Sequence, residues 1–207
     1  MYRKFFKRLI DIVLSFCGLV ALAIPMLVFA IIIKLDSKGP VLFWQKRVGK
    51  NKEIFLMPKF RSMYTETPAE MPTHLLNDPQ RWITPVGRVF RKLSIDELPQ
   101  IWCILTGKMS IIGPRPALWN QFDLIEERDK YGANDVRPGL TGWAQINGRD
   151  ELEIPVKAKL DGEYVQNMSF QFDIKCFLGT IFAVLRHDGV VEGGTGAMKE
   201  EKDRVKK

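Results

Sequence analysis

The stretch RKLSIDELPQIWCILTGKMSIIGPRP, residues 91–116, guides the interpretation of the whole chain. Two adjacent carboxylates, Asp96 and Glu97, lie between two arginines, Arg91 and Arg115. Carboxylates can hold a divalent cation, and a guanidinium group can bind a phosphate through two hydrogen bonds. The prolines on either side of Arg115 also restrict its backbone. This combination of residues indicates phosphoryl chemistry.

The same residues allow a purely structural interpretation. Ser94 and Glu97 have the spacing of a capping box, which would begin a helix here. Alternatively, Pro99 takes the first helical position, where its missing N–H costs nothing. Both alternatives place two acids at a helix N-terminus, where the helix dipole favours their charged forms. Because acids at helix starts are common, the carboxylates alone do not establish a site.

Several segments, taken in order, resemble the bacterial sugar transferase family, the small monotopic phosphoglycosyl transferases. They are the basic N-terminus with its hydrophobic segment, KFRSM at 59–63, LSIDELPQ at 93–100, GKMSIIGPRP at 107–116 and VRPGLTGWAQINGR at 136–149. The resemblance covers nearly the whole chain. It implies transfer of a sugar 1-phosphate from a UDP-sugar to polyprenyl (undecaprenyl) phosphate, with release of UMP. That reaction would be the first membrane step of glycoconjugate or polysaccharide biosynthesis.

The resemblance also implies roles for individual residues. Asp96 would be the nucleophile, would form a covalent aspartyl-phosphosugar and would bind Mg²⁺. Glu97 would act as a general base or assist the metal. Five basic residues would contact phosphate or substrate: Lys59, Arg91, Arg115, Arg137 and Arg149. The alternatives are a solvated rim for Lys59 and ordinary turn chemistry for the loop that Arg137 and Arg149 bracket. Pro25 would mark the bend of a re-entrant membrane helix. An N-acetylated amino sugar is expected only at the level of the family, because no residue specifies it.

Composition narrows the class of protein. A chain of 207 residues can form one domain with a real core. Of the net charge of +7, residues 1–8 carry +4 and residues 199–207 carry +2, so the chain between these two ends is near neutral. Basic ends fit anionic lipid better than nucleic acid. Three scattered cysteines do not suggest disulfides, and two histidines exclude a multi-histidine site, so any metal should be oxygen-ligated.

Residues 9–33 are apolar and long enough to span a membrane. This apolar run is longer than the hydrophobic region of a usual signal peptide. Basic residues flank it on both sides, so the positive-inside rule favours neither orientation. Pro25 should kink the helix. We therefore expect a re-entrant helix with both ends in the cytoplasm rather than a spanning one. Asp11 is expected at the membrane interface, near Arg8.

Hydrophobic patterns and turn residues predict the remaining elements. Residues 41–63 predict a β-hairpin around GKNK at 49–52. The proline-rich segment 64–85 predicts a mobile lid or, alternatively, simple disorder. Helices are predicted over 117–131, 151–167 and 169–188, and the EERDK run of the first should be solvated. The apolar face of the last helix should belong to the core or, alternatively, to the membrane interface.

The sequence thus predicts a mainly α (α+β) monotopic membrane protein. Residues 1–35 would form the basic N-terminus and re-entrant helix, 36–190 the catalytic domain, and 191–207 a flexible charged tail. We expect it at the bacterial cytoplasmic (inner) membrane, with the catalytic domain on the cytoplasmic face. The rival class is a non-enzymatic, membrane-anchored protein that binds anionic lipid and has no affinity for nucleotides. No residue pattern specifies the oligomeric state.

Overall fold

The N-terminal apolar segment forms one helix, α1, which runs from Lys7 to Asp36 and continues through Pro25. A short π-helical turn, Tyr2–Phe6, precedes it. Together they are long and apolar enough to cross a membrane by length and composition. The computed structural model describes residues 1–67, 78–148 and 152–186. In it, most apolar side chains of α1 are exposed, and one face of the helix contacts the rest of the protein.

Polar side chains dock the N-terminal third of α1. Lys7, Asp11 and Ser15 are buried and recur every four residues, so they share one helix face. The Asp11 carboxylate accepts hydrogen bonds from the Ser110 hydroxyl at 3.1 Å and the Ile111 N–H at 3.0 Å. The sequence did not predict that the protein itself would bind Asp11. A buried carboxylate needs hydrogen-bond partners, and the protein supplies them.

The C-terminal end of α1 docks on the same body. Ile33 is buried with Phe60 and Phe90. The Arg61 guanidinium donates to the carbonyls of Ser37 at 2.6 Å and Lys38 at 2.7 Å. Carbonyls at a helix C-terminus have no partner within the helix, and a cation there also opposes the helix dipole. Arg61 thus terminates α1.

The predicted β-hairpin is present. Strands β1 (Leu42–Val48) and β2 (Ile54–Phe60) pair antiparallel, from Leu42 opposite Phe60 to Val48 opposite Ile54. β2 lies within the predicted hairpin and includes Pro58. Proline is tolerated there because a two-stranded sheet has only edge strands. Lys59 consequently lies within β2, where the strand fixes the direction of its side chain.

A second, parallel sheet was not predicted. It pairs β3 (Ser110–Ile112) with β4 (Gly139–Thr141), strands too short to show alternation in sequence. Gly113 follows β3, and Gly142 follows β4. A Cβ atom on Gly142 would lie 2.0 Å from the carbonyl oxygen of Gly113, and one on Gly139 2.1 Å from its nitrogen. Glycine at these positions therefore lets the two backbones pack directly together.

Helices and short 3₁₀ turns make up the rest of the described structure. The capping box is not formed, because Ser94 has left-handed φ (56°) and makes no cap hydrogen bond, and Pro99 lies inside the following 3₁₀ turn. The predicted helices over 117–131, 151–167 and 169–188 are present, the first of them shorter than predicted. In order the elements are 3₁₀ Pro79–Trp82, α2 Pro85–Lys92, 3₁₀ Ile95–Gln100, α3 Ile101–Leu105, α4 Phe122–Asp129, α5 Trp143–Ile146, α6 Ile154–Asn167 and α7 Phe170–Arg186.

The orientation of α7 differs from the leading prediction. Its apolar stripe, which includes Ile174 and Phe177, is exposed, whereas Asp173 and Cys176 are buried. Asp173 pairs with Lys7 of α1 at 2.6 Å and accepts a hydrogen bond from the Tyr164 hydroxyl at 2.7 Å. A buried ion pair thus decides which face turns inward. The predicted tail, 191–207, and part of the proline-rich segment, 68–77, lie outside the described residues.

Candidate functional site

Three elements bring the predicted site residues together. The 3₁₀ turn before α3 carries Asp96 and Glu97, and it packs against β2. β2 contributes Lys59, and the loop after β3 contributes Arg115. Arg91 lies in the last turn of α2, close enough for its charge to act on Asp96. Acids and cations that are far apart in sequence thus form one cluster.

Two cationic side chains bind Glu97. Its Oε1 atom lies 2.6 Å from Arg115 Nη2 and 2.9 Å from Lys59 Nζ, and its Oε2 atom accepts from Arg115 Nη1 at 3.2 Å. Burial acts to raise the pKa of Glu97, but the charges and hydrogen bonds of Arg115 and Lys59 outweigh it and hold the pKa well below its usual range. Glu97 is therefore a firmly ionised carboxylate.

Asp96 has a different environment. It is 7% exposed, and within the described ranges its carboxylate makes no hydrogen bond and no ion pair shorter than 4 Å. Burial raises the pKa of Asp96, the neighbouring Glu97 charge adds to this, and the charges of Lys59, Arg91 and Arg115 oppose it. A carboxylate that is poorly solvated and not directly paired is available to react or to bind a cation.

Lys59 completes the cluster from the hairpin side. Burial lowers the pKa of its ammonium group, while the carboxylates of Glu97 and Asp96 oppose that effect. Its side chain is 16% exposed and that of Arg115 is 27% exposed. Both cations can therefore be reached by an anionic ligand. The cluster can bind phosphate groups next to a carboxylate that makes no direct contact with a cation among the described residues.

The backbone of residues 114–116 is held at each carbonyl. The Pro114 carbonyl accepts from the Gly139 N–H at 2.8 Å, that of Arg115 from Arg128 Nη1 at 2.9 Å, and that of Pro116 from Arg47 Nη1 at 2.8 Å. Sequence reasoning did not identify Arg47 or Arg128, because neither lies in a segment that suggested the site.

One predicted phosphate-binding residue, Arg137, is not part of this cluster. Arg137 lies beyond the other end of α3, where its Nε donates to the Gly107 carbonyl at 2.8 Å. Its charge acts there on Arg8, whose guanidinium donates to the carbonyls of Ile104 and Leu105. Arg149 lies outside the described residues. The structure thus brings Lys59, Arg91 and Arg115 to the carboxylates, but not Arg137.

The donor set of the site limits how a metal could bind. Over residues 1–67, 78–148 and 152–186, no three His, Cys, Asp or Glu side chains form a group that could hold a metal ion. Mg²⁺ is commonly bound by only one or two carboxylates together with substrate phosphates and water. Asp96 fits this mode, because no cation in the part of the chain that the structure describes lies at hydrogen-bond distance from its oxygens. Glu97 fits it less well, because its oxygens already bind Arg115 and Lys59.

Comparison with known proteins identifies a family and several relatives of this chain. The family model described as bacterial sugar transferase matches residues 2–187. An uncharacterized sugar transferase, EpsL, of Bacillus subtilis is 39% identical over 184 residues, which cover 89% of each chain. An undecaprenyl-phosphate glucose phosphotransferase of Komagataeibacter xylinus is 43% identical over 84% of this chain.

A third relative is the UDP-N-acetylgalactosamine-undecaprenyl-phosphate N-acetylgalactosaminephosphotransferase of Aeromonas hydrophila. It is 38% identical over 87% of this chain. The chain spans only 35% of the Komagataeibacter protein and 44% of the Aeromonas protein, but 89% of EpsL. Because the match includes the helix, the acid pair and the loop that carries Arg115, the chain belongs to the bacterial sugar transferase family.

Proposed function

We propose that this protein transfers a sugar 1-phosphate from a UDP-sugar to polyprenyl phosphate, most simply undecaprenyl phosphate, in two steps. An oxygen of the Asp96 carboxylate attacks the β-phosphorus of the UDP-sugar, and the bond to the UMP oxygen breaks. UMP leaves, and the sugar phosphate remains on Asp96. A phosphate oxygen of the lipid then attacks the same phosphorus and displaces the aspartate, giving the polyprenyl-diphosphate-sugar.

The observation that carries this proposal is the difference between the two adjacent acids. Glu97 is held by Arg115 and Lys59, whereas Asp96 is buried and has no direct partner over residues 1–67, 78–148 and 152–186. A poorly solvated carboxylate is a better nucleophile than one whose lone pairs are occupied. Glu97 has a low pKa and is therefore a weak proton acceptor, so we assign it the role of holding the two cations ready for phosphate.

The cations supply the electrostatic part of the reaction. Arg115 can bind two oxygens of one phosphate, and Lys59 can act as a point charge beside it. Arg91 lies on the Asp96 side and would balance charge that develops on the leaving phosphate. Asp96 and the diphosphate would hold Mg²⁺, which would withdraw charge from the phosphate oxygens when bound. The names of the Komagataeibacter and Aeromonas relatives support the lipid acceptor.

The docking of α1 supports a monotopic, re-entrant arrangement, and we propose that it lies at the cytoplasmic face of the bacterial inner membrane. A 30-residue helix is about 45 Å long, which exceeds the roughly 30 Å hydrocarbon layer. Yet Asp11 near one end and Ile33 near the other contact the same body. Both ends should therefore face one side, where a soluble nucleotide-sugar and a lipid phosphate can both reach the site.

The sugar is the least specified part of the proposal. The Komagataeibacter relative carries glucose in its name and the Aeromonas relative N-acetylgalactosamine, at 43% and 38% identity. Overall similarity therefore does not select one sugar. A panel of UDP-glucose, UDP-galactose, UDP-N-acetylglucosamine and UDP-N-acetylgalactosamine would identify the donor.

A burst assay tests the two-step route. Enzyme with Mg²⁺ and the active UDP-sugar, without lipid, should release about one UMP per enzyme. Asp96→Asn should abolish this burst, because an amide is a poor nucleophile, while Asp135→Asn, an exposed acid elsewhere, should keep it. If a bound UDP-sugar releases no UMP until polyprenyl phosphate is added, the direct route replaces the covalent one.

The rival function, a lipid-binding anchor without catalysis, makes a different prediction. It requires exposed basic residues at the ends of the chain. At the N-terminus, Lys7 pairs with Asp173 and Arg8 donates to carbonyls of α3, while Arg3 and Lys4 are exposed. A thermal-shift measurement with UDP and Mg²⁺ distinguishes the two. Stabilisation by the nucleotide supports the enzyme, and no shift at millimolar UDP supports the anchor.

A further inference from the structure

Arg128 is a buried arginine that the mechanism above does not use. It lies in α4, within the EERDK run that the sequence placed in solvent, and it is 3% exposed. The neighbouring Lys130 and Glu127 form an ordinary ion pair on the outside of the same segment, where Lys130 is 61% exposed. An arginine is rarely buried unless its charge and its donors are satisfied. Its partners therefore indicate what it does.

The first partner is Asp161 of α6, which is 1% exposed. Its Oδ2 atom accepts from Arg128 Nε at 2.8 Å and Nη2 at 2.5 Å. Gly162 makes this approach possible, because a Cβ atom there would lie 2.5 Å from the Cβ of Tyr131. Two bonds to one carboxylate fix the plane of the guanidinium group.

The second partner is the backbone of Arg115. With two donors on Asp161, the remaining Nη1 of Arg128 points at the Arg115 carbonyl and donates to it at 2.9 Å. Arg115 is flanked by Pro114 and Pro116, which have no N–H groups. The backbone of this segment can therefore form most of its hydrogen bonds only through its carbonyls. Arg128 thus binds the backbone of Arg115, whose side chain binds Glu97.

We propose that Arg128, oriented by Asp161, is a positioning residue that fixes the backbone of Arg115 so that its guanidinium meets the phosphate. This inference rests on the proposed phosphate-binding role of Arg115. It makes the Arg128–Asp161 pair a support for catalysis rather than only for the fold, since a shift of Arg115 by a fraction of an ångström would misplace two hydrogen bonds at once.

Arg128→Lys is the first test. Lysine keeps a charge for Asp161 but has a single ammonium group, which cannot also reach the Arg115 carbonyl in the same geometry. We expect kcat to fall on the order of ten- to a hundredfold, with the same division between kcat and KM as Arg115→Lys. The control is Lys130→Met, which removes the exposed pair of the same segment and should leave kcat unchanged.

A double-variant cycle separates positioning from stability. If Arg128 acts through Arg115, adding Arg128→Lys to Arg115→Lys should cost less than about twofold further activity, because both changes remove one function. If Arg128 only supports the fold, the two losses multiply. Multiplicative losses would therefore overturn the inference.

A second pair of variants covers the case in which Arg128→Lys folds poorly. Arg128→Met with Asp161→Leu replaces the buried ion pair by apolar groups, which often preserves stability. We expect normal thermal unfolding with low kcat, and wild-type activity would overturn the positioning role. If Arg115→Lys itself has normal activity, the phosphate role of Arg115 fails. If only Arg115→Lys is impaired, the positioning inference alone fails.

Discussion

Asp96 and Glu97 are adjacent in the chain, but their electrostatic surroundings differ. Glu97 is compensated by two cations at hydrogen-bond distance, while Asp96 feels the same cations only through longer-range charge. Sequence reasoning could predict that these acids and Arg115 belong together. It could not assign which acid would be paired, because that depends on the direction of the Lys59 side chain from β2.

Glu97→Gln tests the pairing at the level of stability. It leaves Lys59 and Arg115 without their shared counter-charge, which should cost on the order of 3 kcal/mol at neutral pH. The pKa of Glu97 in the folded protein lies well below 4.5, so its contribution is fully present above about pH 4.5. The contribution is then lost as the pH falls through the lower, folded-state pKa.

The measurement is thermal unfolding in detergent between pH 3 and 7. The difference in Tm between wild type and Glu97→Gln should be constant above pH 5, at roughly 6–12 °C, and should shrink below pH 4.5. Glu126→Gln, an exposed acid of α4, should show no such difference. A Glu97→Gln difference that does not depend on pH would contradict the ion pairs.

At the scale of elements, close backbone packing positions the arginine loop. β3 and β4 bring Gly113 against Gly139 and Gly142, and the Gly113 N–H donates to the Thr141 carbonyl at 2.8 Å. These glycines thus allow close contact between two chain segments. A parallel sheet of three-residue strands is invisible to periodicity, because alternation needs four or more residues.

Gly142→Ala tests this contact. Its Cβ would lie 2.0 Å from the Gly113 carbonyl oxygen, and neither backbone can move away by changing a rotamer. We expect a loss of about 1–3 kcal/mol in unfolding free energy and a lower kcat, because Gly113 leads directly into Arg115. Gly18→Ala in α1 is the control, since its nearest neighbour would be 3.9 Å away. Equal stability of both variants would argue against the close approach.

Helices α4 and α7 show where pattern reasoning fails. Both were predicted as helices, yet the inward faces were assigned from hydrophobicity alone. In each helix the deepest polar contact belongs to a charged residue, Arg128 with Asp161 and Asp173 with Lys7. A charged residue whose partner lies far away in sequence looks like a surface residue, so single-sequence periodicity assigns it to solvent.

At the scale of the whole molecule, α1 belongs to the folded body rather than serving only as an anchor. Asp11 binds the strand that precedes the arginine loop, and Ile33 packs behind the hairpin that carries Lys59. The sequence predicted the length of this helix and showed the basic residues that flank it. It did not show that the helix lies along the protein, because its buried face contains polar residues every fourth position.

Cysteine labelling tests the resulting topology. Lys4→Cys and Lys38→Cys place exposed thiols before and after α1 in a Cys17→Ser background, where the remaining Cys103 and Cys176 are buried. Neither site should react with a membrane-impermeant maleimide added to spheroplasts, and both should react after permeabilisation. Labelling of only one of the two before permeabilisation would show that the helix spans the membrane.

The pairing of Lys7 with Asp173 also sets an order of events during synthesis. The two residues are 166 positions apart, so at about 5–20 residues per second the ribosome needs roughly 8–30 s to supply the partner of Lys7. Asp11 likewise cannot bind Ser110 until a further 99 residues have been synthesised. The apolar helix thus emerges first with its polar face uncovered. The contact between Lys7 and Asp173 can form only after α7 has been synthesised.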